Sequence, residues 1–302
     1  MYAAGQAGVN SFTYAAGIAT ATAAAAAAAT VDLRTSAMLA PNRQQPAPPS
    51  HNRVPDVTLD FWVIKLMAVT TGETAADYLA DTIGLGLTVT SLIMTGILIA
   101  ALVLQFAQKR YVPWAYWLAV VLISIVGTLV TDNLVDTFGV RLQTTTIAFS
   151  VALAATFAVW YASERTLSIH TIFTTRREIF YWLAILLTFA LGTAAGDLVA
   201  ESFDMGYLTT GLLFGGAIAL IVLAYWLLNL DGILAFWLAY ILTRPLGASF
   251  GDLLSRSARH GGLGFGTIFT SLLFLGCIIA LVLHMTLKGT TDEADELLLD
   301  LD

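Results

Sequence analysis

Three residues recur four times along the chain at fixed spacing: a tryptophan, a glycine ten residues later, and an aspartate five residues after the glycine. The residue before each aspartate is small, and every copy lies within an apolar run. One structural unit is therefore used four times. The copies are Trp62, Gly72 and Asp77; Trp117, Gly127 and Asp132; Trp182, Gly192 and Asp197; and Trp237, Gly247 and Asp252.

The composition indicates the environment of this unit. Hydrophobic residues make up 58% of the chain and charged residues 12%, with a mean hydropathy of +0.79, which excludes a soluble globular protein. Since a membrane-spanning helix needs about 20 apolar residues, we predict an all-α integral membrane protein with eight transmembrane helices. The runs lie near 60–81, 85–107, 114–136, 143–162, 179–201, 206–228, 232–254 and 263–287.

Two spans fall in each copy, which predicts four tandem helical hairpins at about 59–113, 114–178, 179–230 and 231–288. Successive motif tryptophans are 55, 65 and 55 residues apart, so the chain consists of two halves of two repeats. Because two spans separate equivalent positions, the repeats have parallel topology and the four acids share one depth. Each aspartate lies about 22 Å beyond its tryptophan along the helix, toward the far membrane surface.

Basic residues in the connections predict the orientation. By the positive-inside rule, the side that bears the N-terminus is cytoplasmic, and so is the C-terminus. That side carries Arg34, Arg43, Arg53, Lys109, Arg110, Arg165, Arg176, Arg177 and Lys288, whereas the opposite side carries Arg141, Arg256 and Arg259.

The terminal segments, the cysteine and the histidines do not indicate a further functional site. Residues 1–58 are rich in alanine and proline and are predicted to be disordered, and residues 289–302 form an acidic tail. With the single cysteine Cys277 and four scattered histidines, we predict no cofactor and no cysteine or histidine metal site. No H-E-x-x-H or G-x-S-x-G motif indicates an enzyme, and we expect no nucleic-acid partner.

The four motif glycines, together with the small residue four positions later, form small-xxx-small pairs. Such pairs let helix backbones approach closely, so we predict that Gly72, Gly127, Gly192 and Gly247 pack helices together. Packing alone does not explain the acid that follows each pair.

An ionised carboxylate in a membrane helix costs a few kcal/mol on insertion scales. We therefore predict that Asp77, Asp132, Asp197 and Asp252 bind an ion, assisted by Glu73. Grouped carboxylates and hydroxyls suit Mg²⁺, Mn²⁺ or Ca²⁺, or a proton relay. In a structural alternative the acids accept hydrogen bonds from threonines that begin the second helices: Thr88, Thr90, Thr144, Thr145, Thr146, Thr209, Thr210, Thr267 and Thr270.

Two cations lie within the apolar runs. We predict that Lys65 and Arg244 balance the charge of the acids or gate the site. Lys65 is near a helix start and alternatively extends its ammonium to the membrane surface, whereas Arg244 is deep in its span and needs carboxylate partners. We predict a vestibule at Asp81, Asp136, Glu201 and Arg256, with ordinary surface charge as the alternative. An aromatic belt at the membrane surface is predicted from the motif tryptophans with Trp114, Tyr116, Tyr181 and Tyr240.

These motifs resemble a known family. The stretches KLMAVTTGETAAD, GTLVTD, GTAAGD and RPLGASFGD in successive copies look like those of bacterial membrane-anchored proteins with a four-fold tandem repeat of unknown function. The resemblance covers roughly residues 56–288. It implies a multi-pass protein of the bacterial inner (plasma) membrane and leaves the activity open.

Three functions remain compatible with the residues. A transporter or exporter would move a small hard cation, either alone or in exchange against protons, through the ring of four aspartates. A structural or regulatory membrane scaffold would use the same acids as internal hydrogen-bond acceptors. An intramembrane enzyme has the least support because its motifs are missing. We favour the transporter, with the lipid bilayer, a small cation and protons as partners.

Overall fold

The computed structural model describes residues 52–202, 205–257 and 261–299, and the regular structure in these ranges is helical, without strands. Each repeat contributes two long helices. They are α1 (Leu59–Asp77), α2 (Leu87–Phe106), α3 (Pro113–Asp132), α4 (Leu142–Glu164), α5 (Thr175–Asp197), α6 (Gly206–Leu227), α7 (Gly232–Ser255) and α8 (Thr267–Leu299).

Seven of these helices, α2 to α8, are long and apolar enough to cross a membrane, and the chain is accordingly a multi-pass membrane protein. Helix α1 is not apolar enough to be counted with them, because its 19 residues include Asp60, Lys65, Glu73 and Asp77. The eighth span therefore stays a prediction. Most of the residues of α1 are buried against other helices, which gives its charged side chains protein partners in place of lipid.

The first helices of the four repeats form a closed inner ring. Helix α1 packs against α3, α3 against α5, α5 against α7, and α7 against α1. The second helices lie outside this ring and expose large aliphatic side chains such as Leu92, Val151, Leu212 and Leu272. Apolar residues on the outside and polar residues within are what a bundle surrounded by lipid requires.

The outer helices do not pair as the predicted hairpins would. Helix α2 packs mainly on α3, α4 on α5, α6 on α7, and α8 on α1, so each outer helix covers the first helix of the following repeat. The connections on both sides of α2 are short, 83–86 and 107–112, so loop length did not distinguish its two possible partners. Packing of α8 on α1 closes the circle.

The inner helices of the first three repeats end in the same way. Each α-helix stops at the motif aspartate and continues as a five-residue π-helical turn, namely Tyr78–Thr82, Asn133–Thr137 and Leu198–Ser202. Glycines with positive φ follow in the connections, including Gly84, Gly86 and Gly139. In the fourth repeat α7 stays α-helical through Asp252 to Ser255. Because π-turns within helices are frequent at functional sites, the aspartate end is a candidate functional region.

The ends of the chain differ from the sequence-based expectation where they are described. Residues 1–51 lie outside the described residues, but 52–58 are packed: Val54 is buried, and Arg53 Nη1 lies 2.5 Å from Glu178 Oε2. Asn52 Nδ2 donates to the carbonyl of Ile169. At the other end α8 continues to Leu299, into the segment predicted as an acidic tail.

Candidate functional site on the axis of the inner ring

The motif glycines are the contact points of the inner ring. A Cβ added to any of them would overlap the residue that stands seven positions after the tryptophan in the next repeat. The pairs are Gly72 with Ser124, Gly127 with Phe189, Gly192 with Arg244, and Gly247 with Val69. Small-xxx-small packing predicts such contacts. Because the four contacts are equivalent and the last returns to α1, the repeat builds a closed ring with approximate four-fold symmetry.

At the tryptophan end an aromatic collar closes the ring. The aromatic residue before each motif tryptophan contacts the tryptophan of the next repeat, with ring centroids 5.4–6.3 Å apart. The pairs are Phe61 with Trp117, Tyr116 with Trp182, Tyr181 with Trp237, and Phe236 with Trp62. The hydroxyl oxygens of Tyr116 and Tyr181 are 2.6 Å apart.

The prediction that these aromatic residues form a belt at the membrane surface is wrong for most of them, because they are buried in the collar. Trp117, Trp182 and Trp237 are at most 3% exposed, and Tyr116, Tyr181 and Tyr240 are also buried. Trp62 is half-buried, and Trp114 is 47% exposed. The physical reason is that cyclic contacts between aromatic rings bury a large apolar area inside the protein. Tyr111 extends the cluster outside the spans: its hydroxyl accepts from Trp117 Nε1 at 3.1 Å, and burial raises the pKa of this phenol.

Halfway along the axis the four inner helices meet at one guanidinium group. Arg244 Nη2 on α7 donates to Glu73 Oε2 on α1 at 2.8 Å and to Thr193 Oγ1 on α5 at 2.8 Å. It also contacts Thr128 Oγ1 on α3, which donates to Glu73 Oε2 at 3.1 Å. Arg244 is fully buried and Glu73 is 5% exposed. Since these side chains come from all four helices, they lie inside the ring.

This polar centre has unused hydrogen-bonding capacity. Within the described ranges, Nε and Nη1 of Arg244 and Oη of Tyr240 are buried without a hydrogen-bond partner. The guanidinium carbon lies 5.6 Å from the centroid of the Phe189 ring, at a cation–π distance. An unpartnered buried donor costs about 1–3 kcal/mol, so these groups would gain from a further polar partner.

Lys65 lies inside the ring and does not extend to the membrane surface, which corrects that alternative. Its side chain is fully buried, and Nζ donates to the carbonyl of Tyr240 at 2.9 Å. Nζ also lies 3.8 Å from the centroid of the Tyr240 ring. Pro245 lacks an N–H and so leaves the carbonyl of Ile241 without its helical donor, one residue after the carbonyl that Lys65 contacts.

The four motif aspartates lie at the opposite end of the ring from the collar. Arg256 links two of them: Nε donates to Asp252 Oδ1 at 2.9 Å, and Nη2 lies 3.5 Å from Asp77 Oδ2. Asp132 and Asp197 are partly buried at the equivalent positions of α3 and α5. Of the predicted vestibule, Asp81 and Asp136 are exposed, while Arg256 belongs with the acids themselves.

In the structural alternative, the motif aspartates accept hydrogen bonds from the threonines that begin the second helices. The hydrogen bonds recorded for these hydroxyls lead elsewhere, to Asn133 from Thr88 and to carbonyls of the same helix from Thr145, Thr146 and Thr270. Across the described part of the chain, no three His, Cys, Asp or Glu side chains are grouped so that they could hold a metal ion. The predicted metal site at Asp77, Asp132, Asp197 and Asp252 stays a prediction.

Sequence reasoning placed Glu73 beside the aspartates as an assisting residue, whereas the structure places it at the centre with Arg244. A signal was available in the repeat itself. Glu73, Thr128 and Thr193 all stand eleven residues after their tryptophan, so three repeats carry an oxygen at one position of a ring. Arg244 was correctly expected to need a carboxylate, but its partner is not one of the motif aspartates.

Comparison with known proteins agrees with the four-fold organisation. No curated protein and no solved structure matches the chain. The model of one repeat family, described as Repeat of Unknown Function (DUF347), matches residues 61–111, 115–166, 180–230 and 235–291. These matches cover most of the chain and each begins near a motif tryptophan, so the chain belongs to the DUF347 repeat family.

Proposed function

We propose that this protein transports a small hard cation across the membrane along the axis of the inner ring, in exchange with protons. The observation that carries the proposal is the environment of Arg244 Nη2, which is surrounded by one carboxylate oxygen and two hydroxyl oxygens from three helices. Arg244 is a cation tethered to α7, and the oxygens that hold it form a site at which a free cation can replace it.

The ligand set favours hard cations. A carboxylate and two hydroxyls offer oxygen alone, which suits Mg²⁺, Mn²⁺, Ca²⁺ or an alkali ion better than soft metals. Two of the three oxygens accept from Arg244 at 2.8 Å, so the carboxylate of Glu73 is already oriented toward a positive charge. Protonation of Glu73 would release Arg244 in the same way as an arriving cation.

The pairing of Arg244 with Glu73 supports exchange rather than open conduction. Removing one partner of a buried ion pair costs about 3–5 kcal/mol, so the pair opens only when another cation or proton compensates Glu73. Arg244 then turns to other partners. Because the guanidinium fills the centre of the ring in the paired state, the axis stays closed between exchange events.

The aspartate end would supply the cation. Carboxylates of one sign that line a mouth raise the local concentration of counter-ions, and here Asp77 and Asp252 share Arg256. By the positive-inside rule this mouth faces away from the cytoplasm and both termini are cytoplasmic. A location in the bacterial inner membrane is part of the proposal, and the family resemblance supports it.

The test is transport by the full chain in proteoliposomes with an imposed pH gradient and an internal pH dye, with Na⁺, K⁺, Mg²⁺, Mn²⁺ and Ca²⁺ added in turn. We expect at least one ion to dissipate the gradient, and Glu73→Gln to abolish this effect. Asp60→Asn is the matched control, because Asp60 lies on the same helix and is exposed. Equal transport by wild type and Glu73→Gln would refute the proposal.

A membrane scaffold is the second candidate, and the glycine contacts favour it. Four interlocked helices with a buried ion pair at their centre also describe a rigid support. In that case Asp77→Asn and Asp252→Asn, which keep shape and much of the hydrogen bonding, leave both the fold and the cellular phenotype unchanged. A transporter loses activity in these variants while remaining folded, so the same pair of substitutions distinguishes the two functions.

A further inference from the structure

A cavity lies on the side of the bundle, outside the inner ring. It has a volume of about 850 Å³ and is bounded by α1, α6, α7 and the segment 167–170. Its walls are mainly apolar and include Trp62, Leu66, Ile221, Trp226, Phe236 and Leu246. From Asp231 to Leu246 it follows α7 for fifteen residues, or about 22 Å, so it reaches from the membrane surface toward the middle of the bilayer.

This volume falls within the range of small-molecule sites, roughly 300–1,000 Å³. Trp226 on α6 is 74% exposed although it borders the cavity, so α6 leaves the groove accessible from the lipid. An apolar groove of this size in a membrane is filled by hydrocarbon, because empty space forfeits the dispersion contacts of its walls.

The polar lining is concentrated at the surface end of the groove and is acidic. Asp56 and Asp231 contribute carboxylates, and His170 and Ser168 complete this end. Asp231 Oδ1 accepts from the backbone N–H groups of Ile233 and Leu234, which fixes its position. His170 Nδ1 lies 3.8 Å from Asp56 Oδ1. No lysine or arginine is among the described residues that line the groove.

Aromatic rings border the groove near the same end. Trp62 and Phe236 have centroids 5.8 Å apart, and both line the cavity. Aromatic faces attract ammonium groups by about 0.5–2 kcal/mol. The groove thus has apolar walls along α7 and carboxylates with aromatic rings at its surface end. This combination is complementary to a molecule with a hydrocarbon tail and a positively charged head group.

We infer that this groove binds an amphiphilic ammonium compound from the surrounding membrane leaflet, with its hydrocarbon tail along α7 and its protonated amine near Asp56 and Asp231. The inference does not depend on the transport proposal, because the groove lies outside the ring and shares none of Glu73, Thr128, Thr193 or Arg244.

The test is native mass spectrometry of the full chain with three probes that share one tail and differ in the head group: dodecylamine, dodecanol and dodecanoic acid. We expect one dodecylamine to bind with an affinity about tenfold above that of the alcohol, the factor that 1.4 kcal/mol gives, and the acid to bind most weakly. Equal affinities for the three probes, or preference for the acid, would overturn the inference.

Two variants locate the bound amine. Ile221→Trp fills the groove and should abolish binding, whereas Leu220→Trp, at the neighbouring position that is 67% exposed to lipid, should leave it unchanged. Asp56→Asn, on a side chain that is 87% exposed, should preserve folding and reduce the preference for amine over alcohol. Binding that survives Ile221→Trp, or a preference that survives Asp56→Asn, contradicts the proposed site.

Discussion

The two ends of the inner ring are made from equivalent positions of the same repeat, but they differ in their environment. At the tryptophan end most rings of the aromatic collar are buried, with Trp62 and Phe236 half-buried, and each ring contacts the next. At the aspartate end the helices change to π-turns in three repeats, and Arg256 links Asp77 and Asp252 while remaining 43% exposed. The difference indicates that the collar holds the ring together, whereas the aspartate end is more open to its surroundings through Arg256.

The strongest test of this contrast is Trp237→Ala in the collar. Truncating a buried aromatic side chain costs about 3–5 kcal/mol, and Trp237 also donates to the carbonyl of Leu167 at 3.0 Å. We expect a large loss of thermal stability in detergent, measured by scanning fluorimetry with a thiol-reactive or scattering readout. Trp226→Ala, on an exposed tryptophan, should change stability little; equal losses would show that the collar has no special role.

The polar centre around Arg244 lies between the two ends of the ring. Arg244→Met leaves Glu73 buried without its cation, and we expect a loss of about 3–5 kcal/mol. The double variant Arg244→Met and Glu73→Gln removes both charges and should regain most of that stability. The measurement is thermal unfolding of the three proteins in one detergent. A double variant as unstable as the single one would mean that the charges are not coupled.

A smaller effect is expected from the glycine contacts. Gly127→Ala brings a methyl group within 2.8 Å of Phe189 Cβ, and overpacking of this kind costs about 1–3 kcal/mol. Gly96→Ala on α2 is the control, because an added Cβ there meets nothing within 4 Å. If both substitutions have the same effect on the unfolding temperature, close approach at the glycines does not stabilise the ring.

The smallest stability effect is expected at the aspartate end. Asp252→Asn removes the charge that Arg256 Nε contacts at 2.9 Å. Asp252 is buried, but Arg256 is 43% exposed and keeps its contact with Asp77, so we expect a cost of about 1 kcal/mol. We expect nearly unchanged thermal unfolding together with a clear loss of cation-dependent pH dissipation in proteoliposomes. A large loss of stability with intact transport would reverse the roles assigned to the two ends.

Much of the architecture could be predicted from the repeat. The tryptophan, glycine and aspartate spacing indicated four units of two helices, and the small-xxx-small pairs indicated where helices approach. The neighbour of each outer helix could not be predicted, because α2 has short connections to both α1 and α3. The family match shows the repeat and leaves the function untested.

The environment of individual side chains was harder to predict. Tryptophan and tyrosine near helix ends are typical of the membrane surface. Only the contacts between neighbouring inner helices, such as that of Phe61 with Trp117, show that they are buried. Lys65 and Glu73 were assigned by their position along α1 alone. Their roles depend on residues about 170 positions away, Tyr240 and Arg244, and no local pattern contains that information.

The displaced pairing of the outer helices has a consequence for how such chains assemble. In a protein of two repeats, the second outer helix would have no following repeat to cover, and the first inner helix would lack its cover. Two such proteins would complete each other by exchanging these helices, as in a domain-swapped dimer. The four-repeat chain makes all of these contacts within one molecule, and the contact of α8 with α1 takes the place of that exchange.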